Sequence, residues 1–483
     1  MTDSKVYIAL THLSIYELNS FRKYLESPYF NMNEKLLTLF DLYAFRIRKE
    51  SDDELTKEEV WSVLFPNKKY SDPKLRKLNS DLLKVFEEFL AQKSFDSNRF
   101  LKNNLILRAI RTRKIEKLYK STTASTDRSI EQTYNRSSDY LYAKFTNEKE
   151  KLELYSENEI LRKRSKNIEN EVNIDEIASY LDQYYLSEKL KYYVKLLGWK
   201  KMISLEQEIN HIEELNSMID NGDYNHIPPI IIYSTIAKTQ LDPDNVDNYF
   251  KLKEQVIENI DYFPDDEIRS IYDALLSFCV RRVNKGDLAF QEETLNVYKG
   301  ALEKETIFSN GYITQVTFNN IVFFALRTGE FDWAESFVEE YKSRLNDKDR
   351  ANSVSFSHAR IEFYKKNYGK VIELLQQVEM DSVIYTLNSK TILLFSYYEL
   401  DEFDALDSFI NSFRVYVNRE KSISSRKKGH YKNLLKYINK IINLRRSDKE
   451  GIEKIRQEII ETPGIVSKPW LLEKLNEKFQ FKY

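Results

Sequence analysis

The chain has 483 residues, of which 31% are charged and 42% hydrophobic, and 74 basic residues nearly balance 76 acidic ones to leave a net charge of −2. It contains only 10 Gly and 9 Pro. β-Sandwiches, barrels and doubly wound sheets need many Gly- and Pro-rich connections, so the composition argues against them and predicts a nearly all-helical protein. A single cysteine also excludes a disulfide framework within one chain and a cysteine-based zinc site.

The N-terminal residues and the hydropathy of the chain predict a soluble, cytoplasmic protein. The first ten residues have a short apolar run and no small-residue cleavage site, unlike a signal peptide. No window approaches the run of about 18 apolar residues that a membrane span needs. We therefore expect no membrane contact.

Two capping boxes mark helix starts near the N-terminus. Ser14 and Thr56 are each followed three residues later by a glutamate, Glu17 and Glu59. In such pairs, each side chain accepts a hydrogen bond from the other residue's backbone N–H group. We expect a helix to begin directly after Ser14 and another directly after Thr56.

A tight corner with the sequence Ser-Pro-Tyr-Phe-Asn is predicted at residues 27–31. Ser27 precedes a proline, and a residue in that position is driven out of the helical region. With this corner the chain resembles a family of bacterial helical proteins to which no activity is assigned. That resemblance implies a helical fold and no particular function.

Residues 55–91 predict two helices joined by a turn, the second being amphipathic over about 72–91. This segment resembles the helical part of the winged-helix domains of bacterial regulators, although no flanking strands or wing hairpin are evident. The resemblance implies that exposed polar side chains of the second helix contact nucleic acid. Those candidates are Lys74, Arg76, Lys77, Asn79, Ser80 and Lys84.

Two segments are strongly basic. Residues 99–120 carry eight basic side chains against one acidic one, and residues 414–446 carry eleven against one. Such segments steer partners of opposite charge, or pair with acidic helices of the same chain, and the sequence leaves both readings open. The candidate nucleic-acid contacts here are Arg108, Arg111, Lys427 and Lys428. Long helices joined by the polar segment Ser121–Asp127 are predicted between residues 99 and 166.

Three similar units follow one another between residues 317 and 419. In each, an apolar helix and a short turn lead to a second helix that opens with a small residue, namely Ala334, Val371 and Ala405, spaced 37 and 34 residues apart. The pattern resembles the tetratricopeptide repeat. The resemblance implies antiparallel helix pairs stacked into an α-solenoid whose inner surface receives a peptide or helix of another protein. Looser units are predicted upstream, one with its turn at residues 284–287.

The first helices of such repeats line the inner surface of the solenoid. We expect polar and aromatic side chains on these helices to contact the partner, although the same positions could simply hold neighbouring helices together. The candidates are Asn319, Asn320, Arg327, Arg360, Tyr364 and Tyr397.

No catalytic, cofactor-binding or metal-binding pattern stands out. Cys279 lies in an apolar run and is predicted to be a buried core residue. Glu208 and His211 have the Glu-x-x-His spacing, but a carboxylate-bridged metal bundle needs that motif twice, and one copy is better explained as a solvated helix face. We therefore predict neither cofactor nor metal.

These observations predict four helical parts: an N-terminal domain at 1–95, a basic connector of long helices at 96–170, tetratricopeptide-like repeats at 171–445, and a C-terminal cap at 446–483. The predicted function is a non-enzymatic protein–protein scaffold. The alternative is a nucleic-acid-binding regulator that uses residues 55–91 together with the basic helices.

Overall fold

A computed structural model describes residues 2–49, 55–133, 135–157, 174–203, 212–376, 382–445 and 448–480. Within these ranges the regular structure is α-helical apart from two short 3₁₀ turns, and an isolated bridge between Ser309 and Tyr312 is the only β pairing. The predicted all-α fold is therefore confirmed. No helix among these residues is both long and apolar enough to cross a membrane.

The chain divides into two compact units, Met1–Tyr193 with Ile209–Ile231, and Val194–Glu208 with Ile232–Tyr483. The first helices in chain order are α1 (Lys5–Thr11), α2 (Ile15–Glu26), α3 (Glu34–Lys49), α4 (Lys57–Leu64), α5 (Asp72–Ser97), α6 (Arg99–Thr112), α7 (Glu116–Glu131), α8 (Ser138–Glu157), α9 (Ile174–Ile203) and α10 (Ile212–Asn221). They are followed by α11 (Pro228–Leu241), α12 (Val246–Asn259), α13 (Asp265–Asn284), α14 (Ala289–Glu303), α15 (Gln315–Arg327), α16 (Phe331–Tyr341), α17 (Asp347–Tyr364), α18 (Tyr368–Gln376), α19 (Val383–Glu399), α20 (Phe403–Arg419), α21 (Ser425–Asn443), α22 (Lys449–Glu461) and α23 (Lys468–Gln480).

Both predicted capping boxes are confirmed at the starts of α2 and α4. The Ser14 backbone N–H donates to the Glu17 carboxylate at 2.9 Å, and the Glu17 N–H donates to Ser14 Oγ at 3.2 Å. The corresponding distances between Thr56 and Glu59 are 3.0 and 3.3 Å. These bonds to the ionised carboxylates lower the pKa of Glu17 and of Glu59.

The first five helices share one hydrophobic core. Phe21 lies at its centre, with its ring edge-on to Phe40 at 5.1 Å and to Phe86 at 5.4 Å between centroids. The predicted corner follows α2, where Ser27 is extended (φ −75°, ψ 120°) and Phe30 stacks on Tyr24 at 4.1 Å. The apolar stripe of α5 is buried in this core, so packing within the chain holds that helix.

One sequence-based boundary is wrong. Ser121–Asp127 was expected to join two helices, but it lies inside α7, and the chain instead turns at Lys114, whose φ is +56°. The hydroxyls of Ser121 and Thr123 donate to the carbonyls of Leu118 and Tyr119, both at 3.0 Å. Since these hydroxyls are satisfied by the helix's own backbone, they do not interrupt it. The predicted end of the region near residue 166 lies outside the described residues.

A repeated turn punctuates the second unit. At the ends of α13, α15, α17 and α19, one residue has a positive φ and the N–H that follows it bonds back across the helix end, the arrangement of a Schellman cap. The left-handed residues and their φ values are Gly286 (+96°), Gly329 (+82°), Lys366 (+63°) and Asp401 (+57°). The returning bonds are Asp287 to Arg282 at 3.1 Å, Glu330 to Ala325 at 2.9 Å, Asn367 to Glu362 at 2.9 Å and Glu402 to Tyr397 at 3.1 Å.

Helices of the second unit pack mainly on their neighbours in the chain. From α13 to α22 each helix contacts the next. In addition, α15 contacts α17, and α17 contacts α19. Among the described residues, their buried side chains form successive apolar clusters.

The C-terminal helix α23 is anchored to the end of α19. The Trp470 ring stacks on Phe395 with centroids 4.0 Å apart, and its indole N–H donates to Glu399 at 3.2 Å. Lys474 is 6% exposed. Its ammonium lies 2.7 Å from Glu399 and 2.9 Å from Glu477. These contacts place residues 466–467, which precede α23, beside α19.

Candidate partner-binding groove

A groove of about 590 Å³ runs across α15, α17 and α19. A volume in this range is typical of ligand-binding clefts in proteins. The residues that line it are Val316, Asn319, Asn320, Phe323, Arg327, Phe356, Arg360, Phe363, Tyr364, Ser382, Ile384, Tyr385, Asn388, Thr391, Ile392, Phe395, Val466 and Ser467. We refer to this surface as the α15–α17–α19 groove.

Arg360 is a partly buried cation in this groove, and no carboxylate in the described part of the chain pairs with it. Its guanidinium carbon lies 4.9 Å from the centre of the Phe323 ring and 5.6 Å from that of Phe356. Nη1 donates to the backbone carbonyl of Asn319 at 3.1 Å. Burial lowers the pKa of the Arg360 guanidinium to about 10, so the side chain keeps its charge at neutral pH. Since the guanidinium makes one hydrogen bond to the described residues, several of its five N–H donors remain available to another acceptor.

The side-chain amide of Asn319, in the same groove as Arg360, is an unsatisfied hydrogen-bond donor. The residue is 1% exposed, and its Oδ1 accepts a hydrogen bond from Ser357 at 3.3 Å. Its Nδ2 has no acceptor in hydrogen-bonding geometry among the described residues. The Tyr385 hydroxyl is a neighbour outside that geometry, and burial raises the pKa of the Tyr385 phenol. An unpaired buried donor costs free energy, which an incoming acceptor would remove.

Five of the six partner-contact candidates come together in the groove. Asn319, Asn320 and Arg327 lie on α15, where Arg327 is exposed at the helix end, and Arg360 and Tyr364 lie on α17. Tyr397 does not join them. It is half-buried against Phe409 of α20, with ring centroids 5.5 Å apart, and holds two helices of the same pair together.

The charged residues that line the groove are all of one sign. Two are arginines, and none of the lining residues that the structure describes is Asp, Glu, Lys, His or Cys. Among the described residues, Arg360 and Arg327 take part in no ion pair, although the chain as a whole is slightly acidic. These side chains offer hydrogen bonding and charge recognition beside aromatic rings.

Sequence reasoning missed the contribution of α19. Ile384, Asn388, Thr391 and Phe395 recur at helical spacing on the face that lines the groove, a pattern that the sequence does contain. By contrast, Val466 and Ser467 line the groove because α23 packs against α19, and no local sequence pattern predicts that contact.

The nucleic-acid candidates on α5 occupy a different environment. Lys74, Lys77, Ser80 and Lys84 are exposed on one helix. Arg76 pairs with Asp72 at 2.6 Å. The Asn79 amide is already used, since it accepts from Tyr43 at 2.6 Å and donates to the Leu75 carbonyl at 2.9 Å. The described residues on both sides of this segment are helices and turns, not the strands that a winged helix requires.

The two basic segments are partly used within the chain. Arg111 forms ion pairs with Glu150, at 3.0 Å, and with Glu157. Lys428 donates to the Asn418 carbonyl at 3.0 Å. Arg108 and Lys427 are exposed. The structure thus shows internal pairing for some of these candidates and solvent exposure for others.

Cys279 and the Glu208–His211 pair are the remaining sequence features with reactive side chains. Cys279 is fully buried, its thiol lies 3.1 Å from the Tyr249 hydroxyl, and burial raises the pKa of the thiol to about 12, so its predicted core role is confirmed. The Glu208–His211 pair lies outside the described residues. Within the part of the chain that is described, no three His, Cys, Asp or Glu side chains are grouped so as to hold a metal ion.

Comparison of the chain with protein-family models, with curated proteins and with solved structures gives no match in any of the three. What can be said of function therefore rests on the groove and on the residues that surround it.

Proposed function

We propose that residues 265–419 (α13–α20) form a tetratricopeptide-like α-solenoid, preceded by further helices and closed by α21–α23 as a cap. Three features support this proposal. The first helix of each pair ends in the same left-handed turn, at Gly286, Gly329, Lys366 and Asp401. Consecutive helices pack on one another, and helices two apart also touch at α15, α17 and α19. The apolar clusters follow one another along the chain, as expected when each pair buries its face on the next.

We further propose that the protein is a non-enzymatic scaffold whose α15–α17–α19 groove binds a peptide or helix of another protein. A single observation carries this proposal: three consecutive first helices converge on one groove that contains a partly buried, unpaired Arg360 beside the unsatisfied Asn319 amide. Unsatisfied polar groups next to aromatic walls destabilise the unbound protein and are compensated when a partner supplies acceptors.

The test is a selection followed by a matched pair of variants. A random octapeptide library displayed on phage is selected on the full-length protein, and the affinities of the enriched peptides are measured by fluorescence anisotropy. Asn388 is exposed in the groove, and Asn411 is exposed on α20 outside it. We expect Asn388→Trp to weaken binding about tenfold, by filling the groove, and Asn411→Trp to leave it unchanged. Equal binding by both variants, or no enriched peptide, would contradict the proposal.

The alternative function is nucleic-acid binding, and one observation favours it: Lys74, Lys77 and Lys84 lie exposed on α5. A mobility-shift assay with a random duplex at low and high salt distinguishes the two proposals, because phosphate contacts are strongest at low salt. A salt-sensitive shift that Lys77→Met weakens would support the alternative. No shift at low salt would end it.

A further inference from the structure

We propose that Arg360 and Asn319 together anchor one carboxylate of the bound peptide, an aspartate or glutamate side chain flanked by apolar residues. This inference rests on the proposed function, because it specifies which peptide the groove takes. It is carried by the unpaired cation and by the unpaired amide, two separate observations on neighbouring helices.

The first step concerns charge. A guanidinium close to two aromatic rings has lost part of its hydration, and no carboxylate among the described residues pairs with Arg360. Removing a cation from water without a counter-ion is costly, whereas a hydrogen-bonded anion restores much of that free energy. The groove therefore favours a ligand that brings a negative charge to Arg360.

The second step concerns the additional donor. Asn319 contributes its backbone carbonyl to hold Arg360 at 3.1 Å, and its own Nδ2 is left over in a position that is 1% exposed. A carboxylate has two oxygens and can accept from both groups at once. A neutral acceptor, such as a backbone carbonyl, would satisfy the amide and leave the Arg360 charge uncompensated.

The third step separates a carboxylate from a phosphate. Of the described residues near Phe323 and Phe356, Arg360 is the one partly buried cation, while the second arginine, Arg327, is exposed at the end of α15. A monoanion matches this single charge. A phosphate carries nearly two negative charges at neutral pH, which would leave excess negative charge against aromatic walls.

The fourth step concerns the residues that flank the carboxylate. The groove walls on either side are apolar, with Phe323 on α15 and Ile384, Ile392 and Phe395 on α19. The Ile384 side chain is 60% exposed in the unbound protein. Apolar side chains next to the acidic residue of the peptide would cover these walls, and their burial provides binding free energy that the charge alone does not.

The experiment reads the sequences selected from the octapeptide library and tests them on three variants of the full-length chain. We expect an Asp or Glu next to apolar residues in the enriched set, and replacement of that residue by Gln to weaken binding about tenfold. Arg360→Met should cause a similar loss. The matched control is Arg414→Met, which removes the same charge from an exposed position on α20.

Asn319→Asp provides an independent arm, in case Arg360→Met does not fold. It supplies a carboxylate beside Arg360 from within the chain, so we expect a thermal midpoint at least as high as that of the wild type and loss of peptide binding. Circular dichroism melts establish folding of each variant.

The outcomes separate the two proposals. Two results would overturn the carboxylate anchor and leave the scaffold proposal intact. In the first, the enriched peptides lose affinity for the Asn388→Trp protein but contain no acidic residue. In the second, the peptides bind the Arg360→Met and Asn319→Asp proteins as tightly as they bind the wild type. Clearly tighter binding of a phosphoserine version than of the Glu peptide would also overturn the carboxylate anchor. A library that yields no peptide contradicts both.

Discussion

The α15–α17–α19 groove and the basic face of α5 both carry cations that sequence reasoning marked as binding residues, yet their surroundings differ. The side chains of Lys74, Lys77 and Lys84 are exposed to solvent on α5. Arg360 lies close to two phenylalanine rings, and among the described residues it has no counter-ion and the nearby Asn319 amide has no acceptor. A solvated charge has little to gain from a partner, whereas a desolvated and unpaired one has much to gain. The environment of a charge therefore indicates binding better than the charge itself.

The largest effect is expected where a lysine supports the groove wall. Lys474→Met would leave Glu399, 2.7 Å from the lost ammonium, without its cation, and breaking such a buried pair costs about 3 kcal/mol. Lys77→Met, the same change on exposed α5, should alter the free energy of unfolding by less than about 0.5 kcal/mol. Urea denaturation of the two variants measures the contrast. Equal midpoints would show that α23 is not held by this pair.

Glu362 lies on α17, the middle helix of the groove, and its contribution to stability should depend on pH. Burial alone would raise the pKa of Glu362, but hydrogen bonds from Lys370 at 2.8 Å and Asn367 at 2.7 Å leave it below its usual value. A lowered folded-state pKa stabilises the protein above the ordinary glutamate pKa of about 4.3, and this contribution is lost as the pH falls through the folded-state pKa. We expect Glu362→Gln to cost about 2 kcal/mol at pH 7.

The acid side of the stability curve distinguishes this explanation from a simple packing loss. As the pH falls from about 5 to about 3, the difference in unfolding free energy between wild type and Glu362→Gln should shrink, because the wild-type carboxylate becomes protonated. A difference that stays constant over that range would mean that the charge of Glu362 contributes nothing.

The repeated turn predicts a smaller effect. Gly329 has φ +82°, and a Cβ built there meets no atom within 4 Å, so Gly329→Ala is penalised by backbone conformation alone, at about 1 kcal/mol. Gly369, in α18, also has open space around it but lacks a positive φ. Gly369→Ala should therefore stabilise the protein by up to about 1 kcal/mol. Thermal melts that show the same sign for both variants would contradict the assigned turn geometry.

The smallest expected change in stability is that of Arg360→Met. An unpaired, partly buried cation contributes little to folding, and an apolar side chain of similar length is compatible with the rings of Phe323 and Phe356. We expect an unfolding free energy within about 0.5 kcal/mol of the wild type. A large loss in urea denaturation would indicate that Arg360 is a structural residue, which would remove the reason to expect a ligand there.

Local rules predicted much of the fold because they depend on nearby residues. The capping boxes at Ser14 and Thr56 and the corner at Ser27 follow from side chains within a few positions of one another. The linker expected at Ser121–Asp127 failed because serine and threonine favour turns only when their hydroxyls do not bond back to the preceding helical turn.

The sequence predicted which residues lie in the candidate site but not which of them lack a partner. The repeat pattern placed Asn319, Arg327 and Arg360 on inner helices, and the structure brings them to one groove. That Arg360 lacks a counter-ion and that the Asn319 amide lacks an acceptor depend on which distant residues fill the space around them. Periodicity carries no information about those neighbours.

Photo-crosslinking is the most direct test of the central claim that the α15–α17–α19 groove receives the partner. A selected octapeptide carrying a benzophenone next to its acidic residue is irradiated with the full-length protein, and the crosslinked residues are identified by mass spectrometry. We predict crosslinks within 316–327, 356–364 and 382–395. Crosslinks concentrated on α5, or on helices of the second unit that do not line the groove, would contradict the account.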